Sequence, residues 1–308
     1  MPGPPKFHWQ GSDRHGPEHT YERRPVDEAD QYGRPSESGG VAGYGGIVTT
    51  PSVPFVEING HAATAEELRF PALVNYGHLT VMQVRGGRVR GLGLHLERLD
   101  SATRELYDSA LDGDRVCDHI RHALSDDDDA SVRVTVFWPE ADDEASIMVA
   151  VRPPAEMPNA PQSLQAVRYQ RPVPHIKHVG SFGQIHYGRL AERNGFDDAL
   201  LTGPGGVISE GTITNIGCYD GTAVVWPDAP ALHGITMQLL EPTLADRGIP
   251  SRWSTVHVAD LASFPTVFVT NSRGIAPVGR VDDLPLPIDT EFVKTATQAY
   301  ESVPWDPI

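Results

Sequence analysis

Lysine is almost missing from these 308 residues. It occurs only as Lys6, Lys177 and Lys294, so arginine supplies 22 of the 25 basic residues. Cysteine is scarcer still: Cys117 and Cys218 lie far apart and in no CxxC pattern, which argues against a disulfide framework and against a cysteine-based metal site. Positive charge is in deficit. The formal net charge is -16, and so acidic a chain is repelled by nucleic acid and by anionic membrane surfaces, so neither is expected as a partner. Long apolar runs are lacking too. No window has the length of a membrane span, and the start MPGPPKFHWQ has no apolar core of a secretory signal, which makes the cytoplasm the expected compartment.

What is present is ordinary for a globular protein: 39% hydrophobic and 21% charged residues. The length suits one large domain or two small ones. Residues 1–53 are rich in Gly, Pro, His and charge, and too poor in large aliphatic residues to offset the entropy of ordering them. They are predicted to be a disordered or loosely docked extension. PFVEING then reads as a strand with a turn at Asn59-Gly60, and HLTVMQVRGGRVRGLGLH as a hairpin turning at Gly86-Gly87. Leu94, Leu99, Leu106 and Leu111 fit an amphipathic helix. VRVTVFW and SIMVAVR form a second hairpin, and the run Asp126 to Asp129 a solvated loop.

PPAEMPNAPQ, residues 153–162, reads as an interdomain linker between a small N-terminal domain, 54–152, and a larger C-terminal domain, 163–308. In the latter, FGQIHYGRLAERN reads as a helix closed by Gly195. DDALLTGPGGVISEG is predicted as two strands about a glycine turn, and NIGCYDGTAVVW as a hairpin at Asp220-Gly221. GITMQLLEPTLADRG is a helix beginning at its threonine, TVFVTN a buried strand, and EFVKTATQAYESV a terminal helix. The fold class is α+β, in two domains.

Four segments carry chemistry in a fixed order: HLER at His95–Arg98, IKHVGSFG around Lys177, GVISEGTITNIG around Glu210, and LHGIT at Leu232–Thr236. Together they resemble the class IV aminotransferases, which share fold type IV of the pyridoxal 5'-phosphate (PLP) enzymes and include branched-chain and D-amino-acid aminotransferases and aminodeoxychorismate lyase. The resemblance spans roughly residues 55–285. It is sharpest after the lysine: Lys177 at a strand end, a helix to Asn194, Gly195, Asp198-Ala199-Leu200-Leu201, Gly205-Gly206, Glu210, and Thr214-Asn215 all follow in the family's order. It implies PLP at the domain interface of a homodimer.

The residue types fit that chemistry. A PLP enzyme needs an amine that forms a Schiff base and later works as a general base, and lysine suits both roles. That amine must be partly neutral, which requires burial or nearby positive charge; His175, His178 and Arg171 are close enough in sequence to contribute. Glu210 is the carboxylate expected at the pyridine nitrogen, where it keeps the ring protonated. Gly234-Ile235-Thr236 opens a helix whose N–H groups, with the Thr236 hydroxyl, suit a phosphate dianion. The resemblance assigns the phosphate to Ile235, Thr236 and Arg98, with Asn271 or Ser272 as a further contact, and packs Leu232 on the ring.

Three positions depart from the family pattern. Met237 stands where many members carry arginine, and Leu79 and Gln83 where relatives often show an aromatic and a basic residue. The reading reached is a PLP-dependent aminotransferase acting on an amino acid and a 2-oxo acid, with Lys177 and Glu210 catalytic and no metal. Its alternatives are a PLP lyase resembling aminodeoxychorismate lyase, towards which the TNS segment near Asn271 leans, and a non-catalytic fold relative.

Overall fold

Alternation in VRVTVF decides how the first part of the chain packs. Val132, Val134 and Val136 are fully buried, while Ser131 before them and Arg133 between them face the other way, as the two-residue period of a strand requires. A computed structural model describes residues 55–139, 142–158 and 160–308; the extension expected over 1–53 lies outside them. Residues 55–152 supply β1 (Phe55–Ile58), β2 (His61–Ala62), β3 (His78–Val84), β4 (Arg88–Arg90), β5 (Ala130–Phe137) and β6 (Ser146–Arg152), with helices α1 (Arg69–Leu73), α2 (Leu92–Tyr107) and α3 (Gly113–Leu124). A five-stranded sheet runs in the order β2-β1-β6-β5-β3. One face packs on α2 and α3 through Leu99, Val116, Ile120 and the strand valines. The other face is left for the cleft described below.

The sequence reading passed over α3. Its signals are an Asp112 cap, whose carboxylate accepts from the Asp114 and Arg115 N–H groups, and a buried stripe at Val116, Cys117, Ile120, Ala123 and Leu124. The turn at Gly86-Gly87 forms as expected, both glycines having positive φ. The hairpin does not extend from it. β3 pairs along its whole length with β5, and β4 joins β3 only at the bridge Arg85↔Arg88 before pairing with a strand from the far end of the chain.

The rest of the chain supplies β7 (Gln162–Arg168), α4 (Phe182–Arg193), β8 (Asp198–Thr202), β9 (Ile208–Gly211), β10 (Asn215–Tyr219), β11 (Val224–Pro227), α5 (Ile235–Ala245), β12 (Ser251–Ser254), β13 (Thr266–Asn271), β14 (Gly274–Val281), β15 (Leu284–Pro285), α6 (Thr290–Glu301) and β16 (Trp305–Pro307). A nine-stranded sheet runs β12-β11-β10-β13-β14-β7-β8-β9, with β15 on β14. It curls back on itself: the Gly211 N–H at the end of β9 donates to the Thr214 carbonyl beside β10 at 2.8 Å. α5 and α6 cover one side through Met237, Leu240, Phe292 and Ala296. The helix α5 starts at Ile235, one residue before the expected threonine.

β16 ties the two sheets together. It pairs with β4, the Asp306 carboxylate caps the Leu92 N–H of α2 at 2.9 Å, and the Arg90 guanidinium lies 4.0 Å from the centre of the Trp305 ring and 4.9 Å from that of Tyr300. Among the described residues no helix is long and apolar enough to cross a membrane. Both cysteines are buried and unpaired.

Candidate active site

A cleft of about 640 Å³ opens between the two sheets, and Lys177 lines it. The lysine is not at a strand end, as the sequence suggested. It sits in the irregular segment 169–181 between β7 and α4. That segment is stitched to the other sheet by Leu79 N–H to Lys177 carbonyl, 2.8 Å, and Val179 N–H to Gly77 carbonyl, 2.9 Å. The backbone carrying the amine is therefore fixed from both sides of the cleft.

Burial pushes the Lys177 ammonium down to about 7, helped by the guanidinium charges of Arg98 and Arg171 and opposed by Glu210. The two histidines expected to contribute do not. His175 is turned outwards to Glu105, 2.9 Å away, and His178 bonds the Pro172 carbonyl at 2.9 Å. Arg171 does contribute, and its Nε lies 3.6 Å from Glu210 Oε1. Glu210 lies just behind the cleft wall, where its Oε2 accepts from the Leu232 N–H at 3.2 Å. Burial raises its pKa, against the pull of Arg171 and of that N–H.

The turn after Glu210 is held from below. The buried Asp198 carboxylate accepts from the Thr212 hydroxyl and from the Thr212 and Ala199 N–H groups, and burial pushes its pKa up to about 6. Thr212 and Ile213 thereby face the cleft. Thr214, the expected cofactor contact, does not line it; its hydroxyl packs over Gly211, where a Cβ would come within 2.2 Å of Oγ1. Asn215 does line the cleft and braces the loop before α5, its Nδ2 donating to the Leu232 carbonyl at 2.6 Å.

At the start of α5, Gly234, Ile235 and Thr236 all line the cleft. Gly234 has no side chain to cap the helix, so the first-turn N–H groups have no intrahelical acceptor. A Cβ at Gly234 would fall 1.8 Å from Asn215 Oδ1, so only glycine fits. The Thr236 hydroxyl, expected to face an anion, donates to the Asn271 carbonyl at 2.7 Å and so ties α5 to β13. Arg98 reaches across from α2 and donates to the His233 carbonyl at 2.6 Å. Burial and Arg171 push its pKa down to about 10. Leu232, Asn271 and Ser272 complete this wall.

The sequence reading missed His95 as a site residue. It lines the cleft, and its Nδ1 meets the Thr80 hydroxyl at 2.6 Å. Burial, then the charges of Arg98 and Lys177, push its pKa down to about 3, so it is a neutral spacer. Arg133 and Arg152 were missed too. The signal was available in the strand alternation, which sends them to the face opposite the valines.

The family model for amino-transferase class IV matches residues 77–281. The chain belongs to the class IV aminotransferase family. The curled sheet and the cleft against the smaller sheet are those of fold type IV PLP enzymes. This family member shares its fold with a hypothetical aminotransferase from Mycobacterium tuberculosis in a PLP-bound form (20% identity, TM-score 0.67, 76% of this chain and 90% of that one). It is similar in the same way to a putative 4-amino-4-deoxychorismate lyase from Legionella pneumophila (18%, TM-score 0.69, 76% and 93%). A third likeness is to the branched-chain amino acid aminotransferase from Escherichia coli (18%, TM-score 0.70, 82% and 94%). No curated protein sequence matches the chain.

Proposed function

We propose that this class IV aminotransferase holds PLP in the cleft and moves an amino group between an amino acid and a 2-oxo acid. The observation that carries the reading is Lys177: a buried amine near pKa 7, lining a cleft, with Arg98 and Arg171 beside it and Glu210 behind. The residues present suit the cofactor. Arg98, the Ile235 and Thr236 N–H groups and Ser272 offer positive charge and donors for a phosphate. Leu232 offers an apolar wall for a ring, and Glu210 a carboxylate for a ring nitrogen. When bound, PLP supplies an electron sink for the carbanion left at the substrate Cα. Lys177 offers its neutral amine for covalent attachment, and the same Nζ removes the Cα proton once freed. Glu210, with its pKa raised, holds a proton at the ring nitrogen. Thr212 and Asn215 keep Glu210 and Leu232 in place.

The same reading includes domains of residues 54–152 and 163–308 joined by 153–162. The apolar cores support it: one buried cluster lies within 82–151, and the remaining three lie within 164–299. It includes a homodimer, supported by apolar side chains exposed beside the cleft: Leu73, Tyr76, Val173 and Phe182. It places the protein in the cytoplasm, which the two unpaired cysteines suit.

The purified protein is expected to be yellow, and borohydride to bleach the colour while fixing the cofactor to the peptide containing Lys177. Lys177→Ala should lose the covalent link and essentially all turnover. A panel of L- and D-amino donors against pyruvate and 2-oxoglutarate then names the reaction. A colourless protein that takes up no PLP would overturn the reading. Pyruvate released from aminodeoxychorismate without an amino acceptor would replace it with the lyase.

A further inference from the structure

One carboxylate behind the cleft wall takes no part in the chemistry proposed above. Asp198 opens β8, and its side chain meets three donors. Oδ1 accepts from the Ala199 N–H at 2.8 Å and from the Thr212 hydroxyl, and Oδ2 from the Thr212 N–H at 3.3 Å. The approach leaves no room for a side chain between them: a Cβ at Gly211 would come within 3.2 Å of Asp198 Oδ2 and 2.2 Å of Thr214 Oγ1. The turn 211–214 is thus clamped between its own threonine and a residue of the neighbouring strand.

That clamp matters for Glu210, which stands two residues before Thr212 in a strand of only four residues. The ladder that should orient it is irregular. Leu201 pairs with Glu210 but Thr202 pairs with Ile208, so Ser209 is an extra residue in β9. A bulge bends its strand and re-aims the side chains beside it. The direction of the Glu210 carboxylate therefore depends on the turn that follows, and Asp198 holds that turn.

A charge at this position is costly, because burial opposes it. An amide of the same size would nevertheless not serve. Each carboxylate oxygen faces a backbone N–H, so either orientation of an amide would set its own NH2 against one of them. The charge has a second use. Arg273 lines the cleft from the loop after β13, where burial presses its pKa down and Asp198 supports its charge. One carboxylate serves both segments, 211–214 and 271–274, that border the cleft on this side.

We infer that Asp198 is a positioning residue for the ring-nitrogen proton: through Thr212 it fixes the turn that aims Glu210, and without it Glu210 holds that proton less firmly. The inference rests on the reading of Glu210 as the partner of a PLP ring nitrogen.

The test reads the ring nitrogen directly, by NMR of the full-length protein loaded with PLP isotopically labelled at that atom. The parent should show a protonated nitrogen, and Asp198→Asn a shift towards the neutral value. PLP affinity should be unchanged, because Arg98 and the start of α5 are untouched. Thr212→Val removes only the hydroxyl arm and should shift the nitrogen the same way by less. In single-turnover exchange of the Cα hydrogen, Asp198→Asn should be slower by on the order of tenfold, the size of effect that outer-shell partners have at metal sites, with the half-saturating substrate concentration little moved. In a Glu210→Gln background the same change should cost nothing further, since both act through one proton. An unshifted nitrogen in both variants, or an equal loss of rate with and without Glu210, would overturn the inference and leave Asp198 a purely structural group. Loss of PLP affinity in Asp198→Asn would do the same. If Asp198→Asn does not fold, Thr212→Val decides alone. A parent with an unprotonated ring nitrogen would instead sink the reading of Glu210 and this inference with it, so the two failures remain distinct.

Discussion

Lys177 is reactive only without its proton, so its depressed pKa sets a pH window. Cofactor capture by apoprotein should rise with pH through about 7 and then level off. A lysine at its ordinary value would still be gaining rate at pH 10. Arg171→Gln removes a positive neighbour and strengthens the pull of Glu210, so the midpoint should move to higher pH. A midpoint unmoved by that change would show that Arg171 does not help to set it. At Glu210 the expected defect is different. Glu210→Gln should keep the cofactor but slow Cα proton removal by on the order of 100-fold, read in single-turnover exchange of the Cα hydrogen. An undiminished rate would give the ring proton to another acid. Both residues could be picked out in the sequence because few alternatives compete: one lysine follows the right pattern, and one glutamate follows Val207-Ile208. Thr214 could not be placed, because in a tight turn one step along the chain reverses the side chain's direction. Thr212 and Ile213 took the cleft side instead.

Helix and loop geometry explain what single side chains do not. The loop 232–234 is drawn tight against β10 by Asn215, and that closeness aims the first turn of α5 into the cleft. Gly234→Ala should push Asn215 away, misdirect the helix start and weaken PLP binding at least tenfold, with the far-ultraviolet spectrum unchanged. A second change, Asn215→Gly, should recover part of the loss by clearing the 1.8 Å overlap. An unaltered PLP affinity in Gly234→Ala would mean that the α5 start is not a cofactor contact. Elements with a clear period, such as β5, β6 and α4, were legible from sequence. The partner of β4 was not. A turn at Gly86-Gly87 predicts that two strands meet, and no local signal says that the second will leave for residues 305–307.

Across the whole molecule, apolar side chains gather on one side of the cleft mouth. Phe182 is 79% exposed and Leu73 82%, and Tyr76 and Val173 are exposed as well. One backbone bond, from the Val179 N–H to the Gly77 carbonyl at 2.9 Å, joins the segments 73–77 and 178–182 that carry Leu73, Tyr76 and Phe182. Exposed large apolar side chains gathered in this way mark a contact surface. The protein should sediment as a dimer, and Leu73→Asp/Phe182→Asp should shift it to monomer. A monomeric parent protein would leave the patch without the proposed partner. Strand alternation assigns Arg133 and Arg152 to the cleft face, but that they meet beside Ser131 follows from the register of β5 and β6 and from no motif.

β16 also has a consequence for the order in which the protein comes into being. Arg88 and the Trp305 carbonyl it binds are 217 positions apart, and Asp306 fixes the first N–H of α2. Closing so long a loop is slow and entropically expensive. A chain emerging from the ribosome can form β5, β6 and α3 early, since their contacts are local. The cap on α2, the helix that carries Arg98, therefore forms only after Asp306 has been made.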